Sequence, residues 1–123
     1  SEYFAIYDAI VKKNKKYYDE GGIDGAAAHY GENGVVIDRK NNICYFGSEQ
    51  IKQMIADWLR MGKMEFKLTR KEITDLGNDR FYADVDIESV IVESGKVMRA
   101  TSQSLFQKTG DNWTCVYEGF EIQ

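Results

Sequence analysis

The sequence contains no proline, a single histidine (His29) and two cysteines, Cys44 and Cys115, in 123 residues. Each scarcity excludes something. Without proline, linkers, low-complexity stretches or repeats, residues 1–123 are expected to form a single domain. One histidine and two distant cysteines supply no ligand cluster, so neither a metal nor any other cofactor is expected. Two cysteines are also too few for a disulfide framework, which points to reduced thiols and a cytoplasmic protein. Basic residues are not in excess. With 16 Lys and Arg against 20 Asp and Glu, the net charge is −4, and no electrostatic pull toward nucleic acid or an anionic membrane is expected. No apolar run approaches the roughly 18 residues of a membrane span, and no basic-then-apolar leader opens the chain. The glycine-rich stretch from Gly21 to Gly34 lacks the Gly-Lys-Ser/Thr of a phosphate loop. Asn112-Trp113-Thr114 matches a glycosylation sequon, but on a tight turn.

What is present reads as helices followed by strands. From Glu2 to Glu20, Tyr3, Ile6, Tyr7, Ile10, Val11, Tyr17 and Tyr18 fall on one helical arc, with Lys12, Lys13, Lys15 and Lys16 on the opposite, solvated side. Gly21-Gly22 ends that helix. Asp24 can cap a short second helix reaching His29 and Tyr30. Val35 to Asp38 and Ile43 to Phe46 form a hairpin around Arg39 to Asn42, and Ser48 can cap a third helix carrying Ile51, Met54, Ile55 and Trp58. Met64 to Thr74, Phe81 to Val92, Lys96 to Lys108 and Asn112 to Ile122 read as long strands in succession. The expected class is α+β, a curved antiparallel sheet wrapped around the long first helix as a cone with a pocket.

Hairpin geometry then assigns the faces. A two-residue Ser94-Gly95 loop pairs Val85 with Ser104 and Phe81 with Lys108. Phe81, Ala83, Val85 and Ile87 then share the pocket face with Met98, Ala100, Ser102, Ser104 and Phe106. A two-residue Gly110-Asp111 loop adds Cys115, Tyr117 and Gly119 to that face. Tyr82, Leu105, Val116, Phe120 and Ile122 go to the outer face, beside the acidic Asp84, Asp86 and Glu88. No helix is left to cover that outer surface, so a homodimer is expected through Tyr82, Leu105, Val116 and Phe120, with the acids meeting Arg99 or Lys71 across a two-fold axis.

The order of these elements resembles the nuclear transport factor 2-like superfamily, in particular its SnoaL-like group. The likeness rests on Gly21-Gly22-Ile23-Asp24 after the long helix, Phe46-Gly47-Ser48-Glu49-Gln50-Ile51 at the third helix, Gly77-Asn78-Asp79 before a long strand, and Gly110 to Trp113 opening the last. It implies a cystatin-like cone, a pocket between the first helix and the sheet, and frequent homodimers. The superfamily spans isomerases, dehydratases, cyclases and assembly domains, so it implies no single activity.

Asn14 lies at the centre of the first helix's apolar arc, where an amide is costly unless hydrogen-bonded. It is either satisfied by nearby backbone or water, or it lines the pocket. Asp38 reads as a turn aspartate. The resemblance places it where ketosteroid isomerase keeps its catalytic base, with that enzyme's tyrosine and second acid falling near Asn14 and Ser104. Those donors are absent here, which argues against that enzyme's specific activity. His29 reads as a packed histidine, and Cys115 lacks a basic partner. The expected binding residues are Asn14, Tyr18, Trp58, Ser102, Ser104 and Tyr117, holding a small, largely apolar molecule. The rival readings are a lyase or isomerase with Asp38 as general base, and an assembly module with a vestigial pocket.

Overall fold

The computed structural model describes residues 2–123. In chain order they form α1 (Glu2–Asp19), α2 (Ile23–Ala28), β1 (Val35–Asp38), β2 (Ile43–Phe46), α3 (Gly47–Leu59), β3 (Met64–Asp75), β4 (Arg80–Ile91), β5 (Val97–Thr109) and β6 (Asn112–Ile122). The strands make one unclosed sheet in the order β2-β1-β6-β5-β4-β3. All neighbours are antiparallel except β1 and β6, which run parallel and set Val36 beside Glu118 and Asp38 beside Phe120. The short helices differ from expectation at their starts, and α2 also stops at Ala28, with His29 as its C-cap, rather than running through His29 and Tyr30. Gly22, not Asp24, is the N-cap of α2. Phe46 is the N-cap of α3, its backbone N–H donating to Gln50 Oε1 at 2.7 Å in place of a Ser48 cap.

The β4–β5 turn is two residues longer than a tight two-residue loop, Val92 to Gly95 in place of Ser94-Gly95. Ile91 N–H donates to Lys96 O, and Val85 pairs with Ser102 rather than Ser104. A slip of two restores the same face, so the inward set of β4 and β5 stands as expected. Phe81, Ala83, Val85, Ser102, Ser104 and Phe106 are all buried.

The β5–β6 pair behaves otherwise. It starts in the expected register, Thr109 with Asn112 and Phe106 with Cys115, and then shifts so that Leu105 pairs with Tyr117. Val116 is the extra residue of a bulge, and every later side chain of β6 changes face. Glu118, Phe120 and Ile122 therefore point inward, while Tyr117 and Gly119 point outward. A Cβ on Gly119 would lie 2.7 Å from Tyr117 Oη and 2.6 Å from Arg39 Nη1, so both side chains cross the outer surface there. The assignment of Tyr117 to the pocket and of Phe120 to an outer interface is thus corrected. A second bulge, between Leu68 and Arg70, bends β3. It leaves Phe66 and Leu68 inward and aims Arg70 outward.

The outer face satisfies its own charges. Arg70 donates from Nε and Nη2 to the Asp86 carboxylate at 2.9 and 3.1 Å, and from Nη2 to Asp84 Oδ1 at 2.8 Å. Arg70 holds both carboxyls below their usual range. Glu88 lies 3.2 Å from Arg99 and 3.6 Å from Lys67, and Lys71 reaches Asp8 at 2.6 Å. The acids expected to meet Arg99 or Lys71 of another copy also have partners within the chain, Asp84 and Asp86 with Arg70, and Glu88 with Arg99 and Lys67.

At one end the space between α1 and the sheet is filled. Phe81 stacks on Phe106 at 4.9 Å, with Tyr3, Tyr7 and Trp113 around them at 5.1 to 6.4 Å. Such aromatic contacts add specific geometry to area burial. The other end stays open. Among the described residues, no helix is long and apolar enough to cross a membrane.

Candidate functional site

The opening follows from side-chain size. The inward positions of β5 run Met98, Ala100, Ser102, Ser104, Phe106, large at the ends and small between. Facing them, the apolar stripe of α1 continues through Ile10, Val11, Asn14 and Tyr18. The small residues of β5 leave a cavity of about 620 Å³, which α3 and the end of α2 enclose on other sides. Its walls are mainly aromatic and aliphatic. Trp58 stands between Tyr18, stacked at 6.4 Å, and Phe120, edge-on at 5.5 Å. Met61, Gly62, Lys63 and Arg99 form its exposed rim.

Besides the serines of β5 and the tyrosine hydroxyls, Glu118, Asn14 and His29 interrupt the apolar wall. Glu118 enters from β6, just beyond the bulge. Its Oε1 accepts the Tyr30 hydroxyl at 2.8 Å and its Oε2 accepts the Ser102 hydroxyl at 3.3 Å. Burial raises the Glu118 carboxyl above its ordinary value, against the lowering effect of those two donors. No Lys, Arg or His among the described residues pairs with it.

Asn14 lines the cavity, and its Oδ1 is shut off from solvent with no hydrogen-bond partner among the described residues. The alternative of an amide satisfied by nearby backbone is not what the structure has. His29 also borders the cavity, its ring edge-on to Tyr30 at 4.8 Å and to Phe106 at 5.6 Å. Burial lowers its pKa to about 4, so the imidazole is neutral at physiological pH. Tyr7 and Tyr18 are raised above the ordinary phenol value by burial and by the nearby Glu118.

Of the residues expected to bind, the structure gathers Asn14, Tyr18, Trp58, Ser102 and Ser104 around one cavity and leaves Tyr117 outside it. Asp38 is also off the cavity wall. It is buried, and its carboxylate accepts from Asn41 N at 3.1 Å and from Asn41 Nδ2 at 2.8 Å, closing the β1–β2 turn. Turn geometry, not a reacting group, accounts for this aspartate. Cys115 is buried with its thiol raised by desolvation and donating to Tyr117 O at 3.3 Å, which suits packing rather than nucleophilic attack. The group that alternation failed to find is Glu118. An unbroken strand puts it outside, and only the bulge brings it in.

No family model and no curated protein matches this sequence. Solved structures do. A candidate calcium/calmodulin-dependent protein kinase II association domain from Xanthomonas campestris is 17% identical, with a TM-score of 0.83 over 99% of this chain and 86% of that one. A ketosteroid isomerase-like protein from Erwinia carotovora atroseptica is 14% identical, with a TM-score of 0.74 over 96% of this chain and 94% of that one. An NTF2-like protein with a cystatin-like fold from Novosphingobium aromaticivorans is 15% identical, with a TM-score of 0.75 over 93% and 77%. The chain shares its cystatin-like fold with these proteins. The likeness extends to the unclosed sheet and the three helices. At these identities the likeness carries the fold and no activity.

Proposed function

We propose that this NTF2-like chain, of the SnoaL-like kind, is a small-molecule-binding domain whose cavity takes a compact, largely apolar ligand. The observation that supports this best is the cavity itself. Its 620 Å³ lies in the range of ligand sites, and an apolar wall with a few placed polar groups is how such sites select orientation as well as size. A vestigial pocket would be filled by side chains, as the opposite end of this cone is. The lyase or isomerase alternative requires a base at the cavity wall, and the buried carboxyl there is Glu118, with Asp19 and Glu20 also bordering the cavity and Asp38 off it.

A homodimer through the outer sheet face belongs to the same proposal. Tyr82 and Leu105 are cross-strand partners on that face and no helix covers them. Cytoplasmic residence fits two unpaired cysteines.

The test of the pocket is displacement of an environment-sensitive apolar dye, paired with the cavity-filling variant Ala100→Trp. Saturable dye binding to the native chain, lost in a folded Ala100→Trp variant, supports the reading. Equal dye binding by both contradicts it. For the dimer, light scattering that returns a mass near 14.1 kDa contradicts association.

A further inference from the structure

We infer that the ligand carries a protonated amine on its apolar body and that Glu118 is the counter-ion for that amine. This rests on the reading of the cavity as a binding site and names its ligand class. The Glu118 oxygens each already accept a hydrogen bond from the wall, one from Tyr30 and one from Ser102. A carboxyl so placed is set to accept further donors rather than to donate. Its surroundings contain no positive charge to match it. From α1 it faces Tyr7 and Tyr18, from the end of α2 the neutral His29 and Tyr30, from β5 Ser102 and Ser104, and from β6 itself the Cys115 thiol. On β1 its neighbour is Val36.

The cations that border the cavity are committed elsewhere or sit at its rim. Lys15 pairs with Asp19 at 2.8 Å and Glu65 at 3.5 Å, Arg99 with Glu88 at 3.2 Å, and Lys63 is exposed. An unmatched carboxyl in an apolar wall is expensive unless an opposite charge joins it. The remaining wall suits that charge. Tyr18, Trp58 and Phe120 present aromatic faces and edges within one cluster, and aromatic faces attract cations. The unpartnered Asn14 Oδ1 adds an acceptor on the same wall. An acid ligand finds cations only at the rim of the cavity, and a neutral one brings Glu118 no opposite charge.

The experiment uses three probes with one aromatic body: naphthylmethylamine, naphthylmethanol and naphthoate. Calorimetry at neutral pH on the native chain and on Glu118→Gln reads the affinities. The amine is expected to bind about tenfold or more tightly than the alcohol, with naphthoate weakest, and Glu118→Gln should remove that preference while leaving the alcohol nearly unchanged. If Glu118→Gln does not fold, the native chain alone decides. Its preference for amine over alcohol should vanish as pH falls through the Glu118 titration. Binding of the alcohol or naphthoate as tightly as the amine, or a preference that persists at low pH, overturns the amine inference and leaves the pocket standing. Failure of all three probes to bind overturns both.

Discussion

Tyr30 and Glu118, 88 residues apart, share a 2.8 Å hydrogen bond that ties the end of α2 to β6 and turns a carboxyl into the cavity. A buried acid held this way leaves a signature in stability. Its pKa in the folded chain lies above the ordinary 4.5, so the folded state holds the proton more tightly than the unfolded state does. Stability from this group is fully present below 4.5 and is lost as pH rises through the folded value. Denaturant melts of the native chain and Glu118→Gln should therefore diverge as pH rises above 4.5, the native chain losing ground to the variant. Parallel curves, or the opposite slope, contradict the placement.

His29 has the opposite sign. Burial lowers it from 6.5 to about 4, so the unfolded chain binds a proton first. Its contribution is fully present above 6.5 and is lost as pH falls toward 4. A drop on the order of 3 kcal/mol is expected across that window, since each pKa unit corresponds to about 1.4 kcal/mol. Melts of His29→Leu should lack this drop relative to the native chain. An unchanged slope in the variant places the titration elsewhere.

Asp38 separates a structural from a chemical role. Asp38→Ala removes both hydrogen bonds to Asn41 and should cost about 1–2 kcal/mol in urea melts. Dye affinity should stay within about twofold, because the residue lies off the cavity wall and independent sites act additively. Loss of binding without loss of stability would return Asp38 to the site.

The bulge at Val116 allows the sharpest test of the β6 register. Val116→Ala keeps the extra residue and should cost no more than about 1–2 kcal/mol. Deleting Val116 removes the extra residue and leaves Cys115 opposite Phe106 and Tyr117 opposite Leu105, so Glu118, Phe120 and Ile122 keep their inward facing and the variant should fold and bind dye. A deletion variant that folds but no longer takes up dye contradicts the assigned bulge and facing.

These elements show what the residue pattern conveys and where it stops. The spacing of Ile51, Met54 and Ile55, and of Tyr3, Tyr7, Ile10 and Asn14, yields the helices and their buried sides because side-chain period and burial coincide there. The long strands are equally plain, and the longer turn at Ser94-Gly95 leaves their facing unchanged because a two-residue slip preserves it. A bulge has no such protection. Nothing in Thr114-Cys115-Val116-Tyr117 distinguishes a bulged from a regular strand, yet one extra residue exchanged Tyr117 for Glu118 at the cavity. The parallel contact of β1 with β6 is a long-range pairing that local pattern does not encode. Asn14 was legible for the converse reason, since a polar residue inside an apolar stripe is a local contradiction.

The cavity's occupancy is tested most directly by the emission of Trp58. The chain has two tryptophans, and Trp113 sits in the filled aromatic end, 5.2 Å from Phe81. Trp113→Phe leaves Trp58, at the cavity wall, as the sole reporter. Titration with naphthylmethylamine should change its emission saturably at one molecule per chain, and Ala100→Trp introduced alongside a Trp58→Phe background should abolish dye uptake. Trp58 emission that stays constant through titrations with naphthylmethylamine, naphthylmethanol and naphthoate alike, while the chain remains folded, would contradict the claim that this cavity binds a small molecule.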